Sequence, residues 1–147
     1  MAFENLISIN FTTAELTTLD DALQQIKTVL RGKTVNLTPD QRRQYGSIAE
    51  QNKLFVNKAK ELMEQNPNHV PNFLDKVEFD KDYNARQQIA NRLIRLEGLT
   101  EQLADTKILL DHDNYFNALT FYRNIKFLSK ESVAGTTTLY KEMAQFF

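Results

Sequence analysis

Apolar residues recur along this chain in helical rhythm. Leu16, Leu19, Leu23, Ile26 and Leu30 advance in alternating three- and four-residue steps, which lines them along one narrow helix face. Thr12 followed by Glu15 has the spacing of a capping box, with Phe11 and Leu16 placed as its hydrophobic staple. Gly32 follows the last seam residue, where a left-handed residue closes a helix. The pattern therefore predicts a first long helix. "LTPDQRRQY" repeats the start signal, with Thr38 as cap, Pro39 at the first helical position and Gln41 at the third. It predicts a short helix ending near Gly46. A second long helix is expected from about Ser47 to Gln65, with Ile48, Phe55, Ala59 and Leu62 inward and Pro67 beyond its end. In the loop after it, Val70, Phe73 and Leu74 are expected to tuck inward.

Asp75 with Glu78 forms a further box-like start, and Leu74 with Phe79 a further staple. A third long helix should run from there to about Leu110, interrupted only by Gly98. Asp111 then reads as the cap of a fourth, from about His112 to Lys130, with Leu110 stapled to Tyr115. "ESVAGTTT" breaks that helix, and a short C-terminal one carries Leu139, Tyr140, Met143 and Phe146. Residues 1–11 are expected to be extended, "NLISINF" being a conceivable short strand without an evident partner. The predicted fold is all-α: an antiparallel helical bundle with four long helices plus short helices after Thr38 and at the C-terminus. No repeat or linker divides it, so a single domain over 1–147 is expected.

The fourth helix is the least ordinary. Tyr115, Phe116, Leu119, Phe121, Tyr122, Ile125, Phe127 and Leu128 cover roughly two-thirds of its circumference, which requires cover on two sides. Lys126 projects into that arc, and a buried ammonium must be paired or lose its proton. In an antiparallel hairpin turning near Asp111, Lys126 lies level with Glu97, and Tyr122 near Thr100. The sequence thus offers a candidate internal polar layer or ligand site of Lys126, Glu97, Tyr122, Thr100 and Tyr115.

Composition narrows the chemistry. The chain has 147 residues, 41% of them hydrophobic and 25% charged, as in an ordinary globular protein. With no cysteine, disulfides, thiolate metal sites and thiol nucleophiles are excluded. A cytoplasmic setting is expected, since the N-terminus carries no basic residue before Lys27 and no apolar run nears the roughly 20 residues that span a bilayer. The net charge is −1, and Arg86, Arg92, Arg95 and Lys107 alternate with Glu97, Glu101 and Asp105. That is a solvated face with local ion pairs, so neither nucleic acid nor membrane is expected as a partner. Asp111-His112-Asp113 suggests a metal site, but a catalytic zinc wants about three ligands and the second histidine, His69, lies in a distant loop. "RGKT" at 31–34 lacks the upstream glycine of a phosphate loop, and no nucleophile elbow is present. No cofactor, metal or catalytic residue is expected.

"FVNKAKELMEQNPNHVPNFLD", "LADTKILL", "DNYFNALTFYRNIK" and the late "G…LY" resemble a family of short all-helical bacterial proteins with no assigned function. The shared positions are Phe55, Asn66-Pro67, Pro71, Phe73-Leu74, Asp105-Thr106, and Tyr115, Ala118, Leu119, Phe121, Tyr122 and Lys126. The likeness covers most of the chain after residue 45 and implies no activity, cofactor or partner. Relatives tend to carry small residues where this chain has Asp-His-Asp. The resulting expectation is a non-enzymatic bundle acting by association, as a homo-oligomer or with another protein. The alternative is a small-ligand-binding bundle with an aromatic pocket and the Glu97/Lys126 layer.

Overall fold

The computed structural model describes residues 4–147; the first three positions of the expected extended segment lie outside the described residues. The fold is all-α, a helical bundle in class, with no strand among the described residues. Residues 4–11, including the conceivable strand, are neither helix nor strand. Five α-helices follow: α1 (Thr13–Leu30), α2 (Pro39–Gln51), α3 (Lys53–Gln65), α4 (Lys76–Lys130) and α5 (Thr136–Ala144), with a 3₁₀ turn at Pro67–His69. Among the described residues no helix is long and apolar enough to cross a membrane. The residues group into two units, Phe11–Arg92 and the N-terminal segment to Asn10 with Leu93–Phe147.

The helix starts follow from local chemistry. Thr12 Oγ1 accepts the Glu15 N–H at 3.1 Å, and Thr38 and Gln41 close a full capping box. The Asp75 carboxylate accepts the Glu78 N–H at 3.0 Å, capping α4. Gly32 takes φ +74° after α1, the left-handed closure its position predicts.

Three features differ from the sequence reading. The helix after Thr38 passes through Gly46 and continues to Gln51; the break falls at Asn52, whose side-chain amide bonds back to the Ile48 carbonyl at 2.8 Å. Of the residues expected inward, Ala59 is half-covered while Ile48, Phe55 and Leu62 are exposed; Val56, Asn57, Lys60 and Met63 are the other half-covered positions of α3. Phe73 does not tuck inward but stands 94% exposed, while Val70 and Leu74 are half-buried. Most importantly, the third and fourth long helices are one. α4 runs without interruption through Gly98 and Asp111 for 55 residues. Neither glycine nor proline stands between Leu99 and Lys130, so no backbone signal forces a stop where Asp111 looked like a cap.

In the first unit, α3 and the start of α4 form an antiparallel hairpin about Val70. Residues equidistant from that turn lie level, and their chemistry matches. Lys60 meets Asp80 at 2.7 Å, and Glu64 meets Lys76 at 2.7 Å. Cross-links along each helix, Lys60–Glu64 at 2.6 Å and Lys76–Asp80 at 2.7 Å, close a four-membered ion network. Hydrogen bonds to Asp80 and Glu64 push both lysines up, and hydrogen bonds to Lys60 and Lys76 hold Glu64 and Asp80 below the usual carboxylate range. One turn further along, Asn57 Oδ1 accepts from the Tyr83 hydroxyl and from Arg86, whose guanidinium lies over the Tyr83 ring.

Candidate functional site

The second unit repeats the hairpin rule at the other end of α4. The helix ends in a Schellman turn: the Val133 N–H reaches the Leu128 carbonyl at 3.1 Å and the Ser132 N–H reaches Ser129 at 3.2 Å. Ser132 sits at φ +59°, the left-handed place that glycine usually fills, and Gly135 at φ +81° leads into α5. The buried Thr136 hydroxyl donates to the Val133 carbonyl at 2.6 Å, fixing the corner. Residues equidistant from Glu131 then face each other across α4 and α5. Tyr122 and Tyr140 stack with ring centres 5.8 Å apart, and the Phe147 ring lies 4.9 Å from Tyr122 on a near-parallel plane. Burial and the neighbouring Tyr140 hydroxyl push the Tyr122 phenol up.

Between these helices lies an open groove of about 180 Å³, lined by Tyr115, Ala118, Leu119, Tyr122, Met143, Phe146 and Phe147. Its exposed lining is wholly apolar, so it presents surface and shape but no group to fix a ligand's orientation. A larger hollow of about 330 Å³ lies in the first unit between α3 and its following turn, bordered by Leu62, Met63, His69 and Pro71.

Farther up α4, Asp113 does something the sequence reading missed. Only 5% exposed, its carboxylate accepts the backbone N–H groups of Leu6 at 2.9 Å and Ile7 at 3.0 Å, anchoring the N-terminal segment. Burial acts to raise the Asp113 carboxyl, but the two N–H donors and His112, 3.3 Å away, outweigh it and hold it below the usual aspartate value. The His112 ring packs on Phe116 at 4.8 Å. The Asp-His-Asp triplet is thus neither helix start nor cap: Asp111 pairs with Lys107 at 2.6 Å inside the helix, and Asp113 is the anchor.

Of the five residues nominated from sequence, two come together. Tyr115 and Tyr122 share the α4–α5 groove. Glu97, Thr100 and Lys126 do not join them; all three are exposed. Glu97 and Lys126 stand on one continuous helix, about 43 Å apart at 1.5 Å per residue, so no ion pair can form within the chain. The polar layer required a turn at Asp111 that does not exist. The buried member of that stretch is the neighbouring Ile125, the one buried apolar residue among the described residues.

The remaining apolar residues are largely uncovered. Every residue of α1 and α2 is exposed, and the α1 seam ranges from 40% exposed at Ile26 to 56% at Leu23. In the second unit Leu93, Leu96, Leu99 and Leu103 of α4 are exposed as well. No family model, no curated protein and no solved structure matches the chain.

Proposed function

We propose that the chain acts by association, assembling with further copies of itself through apolar helix faces, and that it carries no catalytic centre. The carrying observation is α1. This helix of 18 residues exposes five large aliphatic side chains on one seam, and no element of its own unit covers them. Most of the stability of a helix in a protein comes from packing its amphipathic face rather than from propensity. A protein made of such elements gains its stability where the faces meet. The leucines of α4 from Leu93 to Leu103 add a second uncovered face of the same character.

A small-ligand reading has weaker support. The groove holding Tyr115 and Tyr122 measures about 180 Å³, below the roughly 300–1,000 Å³ typical of ligand pockets, and lacks convergent polar groups. Light scattering of the full chain at micromolar concentration tests the association. A mass that is a multiple of 17.1 kDa supports it, and a monomer across that range contradicts it.

A further inference from the structure

We infer that α1 is the site of self-association and that two copies pair through it as an antiparallel two-stranded coiled coil. The inference rests on the self-association proposed above and adds the surface, the occupant and the direction. It stands on two observations, the narrowness of the seam and the charges beside it.

A helix packing onto a globular core carries an apolar stripe a hundred degrees wide or more, whereas a seam of two positions per heptad suits a single partner helix. Leu16, Leu23 and Leu30 occupy one heptad position and Leu19 and Ile26 the other, with no polar interruption. All five are exposed on one continuous helix that ends at its two caps. The occupant that matches a two-position seam is another seam of the same kind.

The flanking residues choose the direction. Asp20 and Lys27 flank the seam on one side, and Glu15, Ala22 and Val29 flank it on the other. A parallel pair sets each Glu15 against Asp20 of the second copy, a like-charge contact made twice, and leaves Lys27 opposite Ala22. An antiparallel pair with its twofold axis at Gln24–Gln25 behaves oppositely. Leu23 lies level with Ile26 of the second copy and Leu19 with Leu30. Asp20 then approaches Lys27 of the second copy on one edge, twice, and Ala22 approaches Val29 on the other, also twice. Asp20 and Lys27 each meet the opposite charge, each apolar flank meets an apolar flank, and Glu15 lies beyond the end of the second copy's helix, away from any like charge. The opposed helix dipoles favour the same arrangement.

The chain contains no cysteine, so thiols introduced into the full-length protein report proximity without background. The double variant Ala22→Cys/Val29→Cys should form a covalent dimer on mild oxidation, while either single variant should not. These two positions, seven apart on one helix, are too far to bridge within a chain. Asp20→Lys should weaken dimerisation about tenfold, since two attractive flank contacts become repulsive, and Asp20→Lys/Lys27→Asp should restore it. A covalent dimer formed by Ala22→Cys/Lys27→Cys and not by Ala22→Cys/Val29→Cys, or tighter association of Asp20→Lys, would establish a parallel pair and overturn the inference. An assembled wild-type chain indifferent to both charge changes, with no covalent dimer, would overturn the α1 site and leave self-association standing. A monomeric wild-type chain, with α1 covered within its own molecule, would remove both.

Discussion

Gly98→Ala is the sharpest probe of α4. Gly98 lies deep inside the helix, and a methyl group placed on its α-carbon meets nothing within 4 Å. The substitution therefore creates no clash and buries no new surface. What remains is the difference in helix propensity, about 1 kcal/mol in favour of alanine. For a chain of this length that corresponds to a rise in melting temperature of about 3 °C. The assay is thermal unfolding followed by helical circular dichroism, at one fixed protein concentration, because association would itself shift the midpoint. Gly135→Ala is the natural contrast: it also meets empty space, but its φ of +81° makes alanine cost about 1 kcal/mol. The two glycines should respond with opposite signs. Were α4 to break at Gly98 and use that residue as a left-handed helix end, both would destabilise, and a fall in melting temperature for Gly98→Ala would refute the continuous helix.

Other perturbations examine neighbouring parts of the argument. Asp111→Ala should change stability by less than about 0.5 kcal/mol, because better propensity offsets the lost pair with Lys107; a capping residue would cost about 1 kcal/mol in the same unfolding experiment. Ser132→Gly should stabilise the α4–α5 corner by about 1 kcal/mol, since glycine adopts the left-handed angle without strain, and a denaturation midpoint at or below wild type would contradict that. The Asp113 anchor should be acid-sensitive. Its folded carboxyl titrates below the ordinary value of 3.8, so its contribution is present above that value and lost as pH falls through the lower folded one. The Leu6 and Ile7 amides should be protected relative to their intrinsic exchange rates at neutral pH and lose that protection in acid, and Asp113→Ala should abolish it at neutral pH as well; protection that survives the substitution would show that the anchor lies elsewhere.

Fold class and the starts of α1, α2 and α4 were legible because their signals are local. Thr12, Thr38 and Asp75 each act on a backbone N–H three residues away, a distance sequence spacing encodes directly. Asp111 shows the limit of that logic. An aspartate before an apolar run resembles a cap, yet capping needs the preceding helix to have ended, and nothing before it ends α4. The role of Asp113 could not be read from spacing at all, because its donors lie more than a hundred positions away in the chain. Lys126 failed for a related reason. Its apolar surroundings implied burial only if the helix were covered on two sides, and the covered positions there are Tyr122, Ile125, Leu128 and Ser129, a face that leaves Lys126 out. Residues equidistant from a hairpin turn lie level wherever the chain makes one. About Val70 it pairs Lys60 with Asp80 and about Glu131 it pairs Tyr122 with Tyr140, whereas Asp111 is no turn. Of the nominated site, Tyr115 and Tyr122 met because their own helix face and α5 brought them together; Glu97 and Thr100 depended on a fold-back that α4 does not make.

Self-association is the claim on which the functional account stands, and the mass of the full-length chain in solution tests it most directly. Light scattering or sedimentation at micromolar concentration and moderate salt should give a multiple of 17.1 kDa that falls toward the single-chain value on dilution. A mass of 17.1 kDa at every concentration, with the helices still formed, would contradict the account.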